Sequence, residues 1–317
     1  MDSSILFPQS HSIIAKATIN AGNQGEAGIA LIASALRIEI TSPPNGATIN
    51  KSSAIVQGRI YNQTGEVVVV VNGVLAEVQG GDFAAIVPLQ LGQNVVTAIA
   101  TTVDGLQVQT SVTINTATQQ EMTRLTVYPS SGILKPPANT LDVTFEAEAY
   151  LANPVSSYSW DFNGDGVAEI TGTDVQVIAQ YQYPGIYFPR VTVTDNQGNS
   201  YSDITILNVL SREEMDALLI SKWEGMKSAL TNKNIPMALN YFTDSSKEVY
   251  QQAFGVIIDE LPQIISDMQD IEMIFLFNNT GKYRINRLHN IDGVLQTITY
   301  YIYFVKDLDG IWRIDRF

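Results

Sequence analysis

The sequence predicts a multidomain protein in which two all-β sandwiches are followed by a C-terminal α+β domain. Three observations predict it. Up to about residue 210, apolar and polar residues alternate in short runs broken by Asn-Gly, Asp-Gly and Pro-Gly pairs, the period-2 pattern of half-buried strands joined by tight turns. Within that stretch Trp160 leads into the acidic, glycine-rich turn Asp161-Phe162-Asn163-Gly164-Asp165-Gly166, and about twenty residues later Tyr183-Pro184-Gly185-Ile186-Tyr187 opens another strand. From Ser211 the period becomes 3.6 and the chain turns helical, before four strand patterns close it.

At 317 residues the chain has room for two or three domains. Lys and Arg number 18 against 32 Asp and Glu, a formal net charge of −14. A chain this acidic repels nucleic acid and anionic lipid, so neither is an expected partner. Cysteine is absent, which removes disulfides, thiol catalysis and thiolate zinc sites. No run of 18 apolar residues is present, so no membrane insertion is expected of this segment. The opening Met-Asp-Ser-Ser-Ile-Leu-Phe lacks the basic start and long apolar core of a secretory signal. If the domains are extracellular, the signal lies outside the chain, which is then the C-terminal piece of something larger.

Residues 11–23 and 94–106 share an apolar pair, alternation through two alanines and a polar turn with glycine. Each is followed by a second alternating stretch, 25–33 and 106–114. Both look like the last hairpin of an immunoglobulin-like bacterial repeat. Residues 1–35 are therefore expected to be the orphan C-terminal hairpin of a preceding repeat, a free-standing N-terminal hairpin being the plain alternative. The complete copy, residues 36–118, begins with Ile38-Glu-Ile-Thr-Ser-Pro-Pro-Asn-Gly-Ala47 and contains five valines, 67–71, before Asn72-Gly73. Those valines suit a strand buried on both faces, and Asn-Gly suits the turn after it. The order of these elements resembles the immunoglobulin-like accessory domain, domain B, of glucodextranase. The resemblance implies a domain that accompanies a catalytic or adhesive neighbour and has no chemistry of its own.

Residues 123–210 carry Trp160 and its acidic turn, then the Tyr-Pro-Gly strand, then Val191-Thr-Val-Thr-Asp-Asn-Gln-Gly198. Three separated elements in this order resemble the polycystic kidney disease (PKD) domain, a β-sandwich that serves in its family as an extracellular spacer and adhesion module. One departure matters: Asn163 lengthens the usual acidic turn. Short linkers near 116–123 and 210–211 favour a semi-rigid rod.

Residues 211–317 form the α+β domain. Ser211-Arg-Glu-Glu214 is a capping box, followed by Met215, Leu218, Leu219, Met226 and Leu230 at helical spacing. Asn234 caps a short helix with Pro236 in its first turn. A second capping box, Ser245 with Glu248, opens a helix whose apolar face is read as Val249, Ala253, Ile257 and Leu261, with Pro262 kinking or restarting it. Strands are expected at about 272–278, 282–288, 295–305 and 312–317. Helices first, then an antiparallel meander ending in Asp-Gly-Ile-Trp-Arg-Ile-Asp-Arg-Phe, resembles the nuclear-transport-factor-2-like, cystatin-like cone fold.

Asp161, Asn163 and Asp165 occupy positions 1, 3 and 5 of a possible calcium loop, with the Val167 carbonyl at position 7 and Glu169 at position 9. Hard oxygen ligands on alternate residues converge where the chain turns sharply at glycine. The bidentate Glu of position 12 is missing, Gly172 standing there, and the bland reading is that the acidic residues cap the turn's own amides. Cone-type domains often hold a pocket, and in some relatives His–Asp pairs or buried carboxylates there catalyse proton transfer. His289, Asp292, Tyr300, Tyr301 and Tyr303 are therefore candidates for such a site in a small hydrolase or isomerase, though aromatics at such spacing are more often wall packing. Tyr61, Tyr158, Tyr181 and Tyr183 are candidate stacking rings for carbohydrate, against the plainer reading of half-buried strand aromatics. These readings converge on a non-enzymatic C-terminal stalk and interaction region of a larger secreted or surface-anchored bacterial protein. It would be extracellular or on the cell surface, and adhesive, with another protein or a glycan there as its partner. The alternative is an accessory carbohydrate-binding region of a secreted polysaccharide-active enzyme.

Overall fold

The structure, a computed structural model, describes residues 10–18, 24–32, 35–119, 121–277, 279–291 and 293–317, and for 10–18, 24–32 and 287–291 the backbone only. At the N-terminus β1 (Ser10–Thr18) and β2 (Gln24–Ile32) pair antiparallel in unbroken register, Ser10 opposite Ile32 and Thr18 opposite Gln24. The side chains that would form this hairpin's apolar face lie outside the described residues.

The first sandwich is built from β3 (Arg37–Ser42), β4 (Ser53–Tyr61), β5 (Val67–Val71), β6 (Val74–Leu75), β7 (Glu77–Gln79), β8 (Asp82–Pro88), β9 (Gly92–Thr102) and β10 (Gln107–Thr116). Its sheets run β3-β4-β8-β7 and β10-β9-β5-β6. Four of the five valines of β5 are buried, as a strand covered on both faces requires. The turn after it takes positive φ at Asn72 (47°) and Gly73 (84°), the torsions of a tight hairpin turn. Val56, Val69, Val71, Phe83, Val87, Val96 and Ala98 fill the space between the sheets. Gly58 lets them close, because a Cβ there would meet both the Phe83 ring and the Glu39 carbonyl at 2.2 Å.

The second sandwich comprises β11 (Thr123–Tyr128), β12 (Ser131–Ile133), β13 (Leu141–Ala149), β14 (Val155–Asp161), β15 (Ile170–Gly172), β16 (Gln176–Tyr181), β17 (Gly185–Tyr187), β18 (Arg190–Asp195), β19 (Ser200–Ile204) and β20 (Leu207–Leu210). Strand orders are β11-β13-β16, β15-β14-β18-β19 and β12-β20-β17, the last including the parallel pair β12 with β20. Trp160 is fully buried on β14, stacked on Tyr158 with ring centroids 6.2 Å apart.

The C-terminal domain has α1 (Arg212–Thr231), α2 (Ile235–Leu239), α3 (Asp244–Val256) and α4 (Leu261–Ser266), then the meander β21 (Glu272–Phe277), β22 (Thr280–Ile291), β23 (Val294–Lys306) and β24 (Trp312–Arg316) in that spatial order. Ser211 caps α1, its hydroxyl accepting from the Glu214 amide at 3.2 Å, and Asn234 caps α2 through the Met237 amide at 3.1 Å. The third helix departs from the sequence reading. It starts two residues early, with Thr243 rather than Ser245 at the cap, and its buried face carries Tyr250 and Phe254 while Val249 is 66% exposed. The aromatic rings win that face because they bury more apolar area than a valine and an alanine, and they join Phe242 and Phe317 in one ring cluster.

The expected rod does not form; the modules touch pairwise. Strands β7 and β8 lie against β17, β7 also against β20, and β12 against β21. Ile133 of the second sandwich is buried in the core of the C-terminal domain. Lys51 of the first sandwich reaches Asp203 of the second at 2.7 Å, and Asn208 of the second donates to Glu77 of the first at 2.8 Å.

Candidate functional site

The acidic turn is held between β14 and β15. Asp161 is the last residue of β14 and is buried, at 4% exposure. Its Oδ1 accepts from the Gly164 amide at 2.7 Å and its Oδ2 from the Gly166 amide at 2.9 Å. Asn163 Oδ1 accepts from the Asp165 amide at 2.7 Å, while its Nδ2 donates to Asp165 Oδ2 at 3.1 Å. Asp165 Oδ1 accepts from the Val167 amide at 2.8 Å, and Glu169 Oε2 from the Phe162 amide at 2.7 Å. Val167 itself is 69% exposed. Gly164, at φ +80°, admits the turn because a Cβ would strike the Phe188 carbonyl at 2.6 Å. Asp161, Asn163, Asp165, Val167 and Glu169 thus occupy one loop, but the side-chain oxygens face amide donors of that same loop. Among the described residues no three His, Cys, Asp or Glu side chains gather as a metal site would need. As placed, the side-chain oxygens of Asp161, Asn163 and Asp165 cap the turn's own amides.

The stacking-ring candidates divide. Tyr158 and Tyr181 are buried, and the Tyr181 hydroxyl donates to the Phe162 carbonyl at 2.6 Å, so both belong to the sandwich core. Tyr61 is half-buried, with the Arg37 guanidinium 3.9 Å from its ring centre. Tyr183 alone of the four is open, at 73% exposure.

In the C-terminal domain the side chain of His289 and all of Asp292 lie outside the described residues. The space between the helices and the inner face of the sheet is filled by Leu219, Trp223, Met226, Phe242, Tyr283 and Phe304. Tyr283 donates to Asp216 at 2.7 Å, and burial followed by that carboxylate pushes its hydroxyl pKa far up. Such a tyrosine is a structural donor. Tyr301 and Tyr303 share the outer face of the sheet with Lys282, whose ammonium lies 4.1 and 5.3 Å from their ring centres.

The best-built polar constellation lies at the seam between the first sandwich and the C-terminal domain. Glu66, just before β5, pairs with Lys222 of α1 and accepts the Trp312 amide at 3.1 Å through Oε1. Lys222 is 4% exposed and the Glu66 side chain 11%. Burial pulls the lysine pKa below its ordinary value, and the Glu66 carboxylate opposes that pull. Beside the pair Gly310, at φ +85°, packs against Leu75 and Val68 so closely that a Cβ would lie 2.9 Å from Leu75. A cavity of about 660 Å³, with Glu66, Glu77, Tyr128, Asn208, Lys306 and Trp312 among its walls, opens where the three modules meet. Sequence reasoning missed this cluster. Its one signal was a lysine on an apolar helical stripe, three residues after Leu219 and four before Met226.

Comparison with known proteins follows the same modular division. Residues 37–118 match the family described as glucodextranase, domain B, and residues 133–209 match the PKD domain. No curated protein matches the chain. Among solved structures, the fibronectin(III)-like modules of Clostridium thermocellum CbhA are 12% identical, with a TM-score of 0.22, covering 56% of this chain and 96% of that one. The I9–I11 tandem of titin is 14% identical at a TM-score of 0.25, covering 65% and 76%. A calcium-stabilized, ice-binding adhesin of an Antarctic bacterium is 12% identical at 0.22, covering 96% and 79%. Likenesses this distant do not bear on function. Residues 37–118 and 133–209 are thus similar to an immunoglobulin-like glucodextranase domain B and to a PKD domain, both non-catalytic types typical of spacer regions in extracellular proteins.

Proposed function

We propose that the chain is the C-terminal stalk and interaction region of a larger secreted or surface-anchored bacterial protein and is itself non-enzymatic. The two sandwiches act as spacers. The α+β domain, of the nuclear-transport-factor-2-like cone type, is the module that contacts a protein or glycan at the cell surface. The observation that carries this reading is the succession of a domain-B match and a PKD match in one chain. Two non-catalytic modules in series lead to a domain whose interior is packed and whose sheet turns an aromatic, basic face outward. Protease shaving of intact cells that express the parent protein tests it. Peptides of this chain are expected in the released fraction, and their appearance only after lysis would overturn the assignment.

A further inference from the structure

The outer face of the C-terminal sheet, turned away from the helices, carries an ordered array. Strand pairing sets Phe275 of β21 opposite Lys282 of β22, Lys282 opposite Tyr303 of β23, and Tyr303 opposite Arg316 of β24. The row therefore reads ring, cation, ring, cation. With neighbouring strands about 4.8 Å apart, successive rings are separated by roughly 9.6 Å, and so are successive cations. Tyr301 flanks the row, and the Arg316 guanidinium lies 4.4 Å from the Tyr303 ring centre. Phe275 and Tyr301 are 42% and 46% exposed.

The local charge opposes that of the chain. Residues 271–317 hold six basic and five acidic residues, although the whole chain carries −14. Of the acidic residues near the row, Glu272 is paired with Arg284 at 2.8 Å and Asp315 lies 4.0 Å from Arg316. Phe275 and Tyr301 are exposed and Tyr303 is half-buried between Lys282 and Arg316, a surface for a ligand that is apolar on one face and negatively charged at intervals. A sugar ring offers its C–H face to an aromatic ring, and a uronic acid offers a carboxylate to the neighbouring ammonium or guanidinium. An alternating polysaccharide, with one carboxylate for every two sugars, repeats both features over two linked rings, about the length of the ring-to-ring interval. The open, gently twisted surface of a sheet admits an extended chain across its strands. Nucleic acid, charged at every residue, meets more repulsion from the acidic chain than a polysaccharide charged at every second one.

We propose that this face binds an acidic polysaccharide of alternating neutral and uronic-acid sugars, laid across the strands with rings on Phe275 and Tyr303 and carboxylates at Lys282 and Arg316. The proposal rests on the reading of the terminal domain as a binding module and names that module's ligand.

The test uses the full chain and hyaluronan, by calorimetry and by retardation in gels that contain the polymer. Neutral dextran and poly(U) serve as the other ligands. Two variants are compared with the parent, Tyr301→Ala with Tyr303→Ala, and Lys282→Glu with Arg316→Glu. Tyr301 and Arg316 are exposed and Lys282 and Tyr303 half-buried, and the charge reversal keeps the rings should the alanine pair disturb folding, which thermal melts will report. Binding to hyaluronan that weakens by roughly tenfold or more in each folded variant, and that fades at high salt, is the expected result. No binding to hyaluronan, binding that both variants keep, or equal binding to dextran or poly(U) would each overturn the proposal. Retention on intact cells separates its failure from that of the broader reading. A chain that ignores hyaluronan but is held on cells, and whose variants are released, has the ligand wrong and the module right. A chain held by neither has both wrong.

Discussion

At the scale of single residues, two buried carboxylates govern the second sandwich. Asp161 holds the amides of Gly164 and Gly166, and Asp161→Ala leaves both without an acceptor. The expected loss is about 2–3 kcal/mol in urea unfolding. Calcium at 5–10 mM, roughly tenfold above the range typical of extracellular modules, is expected to leave the melting temperature unchanged. A rise that Asp165→Ala abolishes would assign the loop to the cation instead. Asp195, 2% exposed, accepts from the amides of Gln197 and Asn199 and from the side chains of Asn153 and Asn199. These bonds, that from the Asn199 side chain foremost, hold its pKa down to about 2 from the ordinary 3.8. A depressed acid stabilises the fold above its unfolded pKa and loses that contribution as pH falls through the folded one. The urea midpoint of the parent should therefore exceed that of Asp195→Asn by a constant margin above about pH 5, and the margin should close between about pH 4 and pH 2. A margin independent of pH would show that the carboxylate's charge is not what the four donors hold. The acidic turn was legible in the sequence, but its use was not, because an Asx-capped turn and a calcium loop ask for the same oxygens at the same alternate positions.

The strands were read well because a half-buried sheet imposes period 2, and the Asn-Gly, Asp-Gly and Pro-Gly pairs fix where each run must turn. The buried face of α1 was read correctly, but that of α3 was not. In α3 the stripe through Val249 and Ala253 and the stripe through Tyr250 and Phe254 lie one residue apart, and periodicity alone does not choose between them. Tertiary packing chose the rings: Phe254 is buried, 5.8 Å from Phe242, and Tyr250 stacks 5.2 Å from Phe317. Phe254→Ala should lower stability by about 3–5 kcal/mol. Val249→Ala should change it by less than about 0.5 kcal/mol, as at other exposed positions. Equal losses in denaturant titrations would return the face to the valine.

Across the whole molecule, single-domain patterns could be read and their mutual arrangement could not. Contacts between domains rest on isolated polar and small residues that carry no period. Glu66, Lys222 and Gly310 each look ordinary within their own module, and only the stray lysine on an apolar stripe hinted at a partner. Glu66→Ala leaves the Lys222 ammonium buried without its partner and the Trp312 amide without its acceptor, a loss of about 3–5 kcal/mol. Calorimetry should then resolve the C-terminal domain melting apart from the first sandwich. Replacing the pair together, Glu66→Leu with Lys222→Met, should recover most of the loss, because an apolar pair avoids burying charge at all. A single unsplit transition in Glu66→Ala would mean that the seam does not couple the domains. The same seam sets an order of events during biosynthesis. Glu66 and Trp312 are 246 residues apart, so a chain made from its N-terminus completes the first sandwich long before the strand that seals it exists. Through that interval Val68, Leu75 and a bare carboxylate face water, and the nascent protein is most open to misassembly and to chaperones until the last strand arrives.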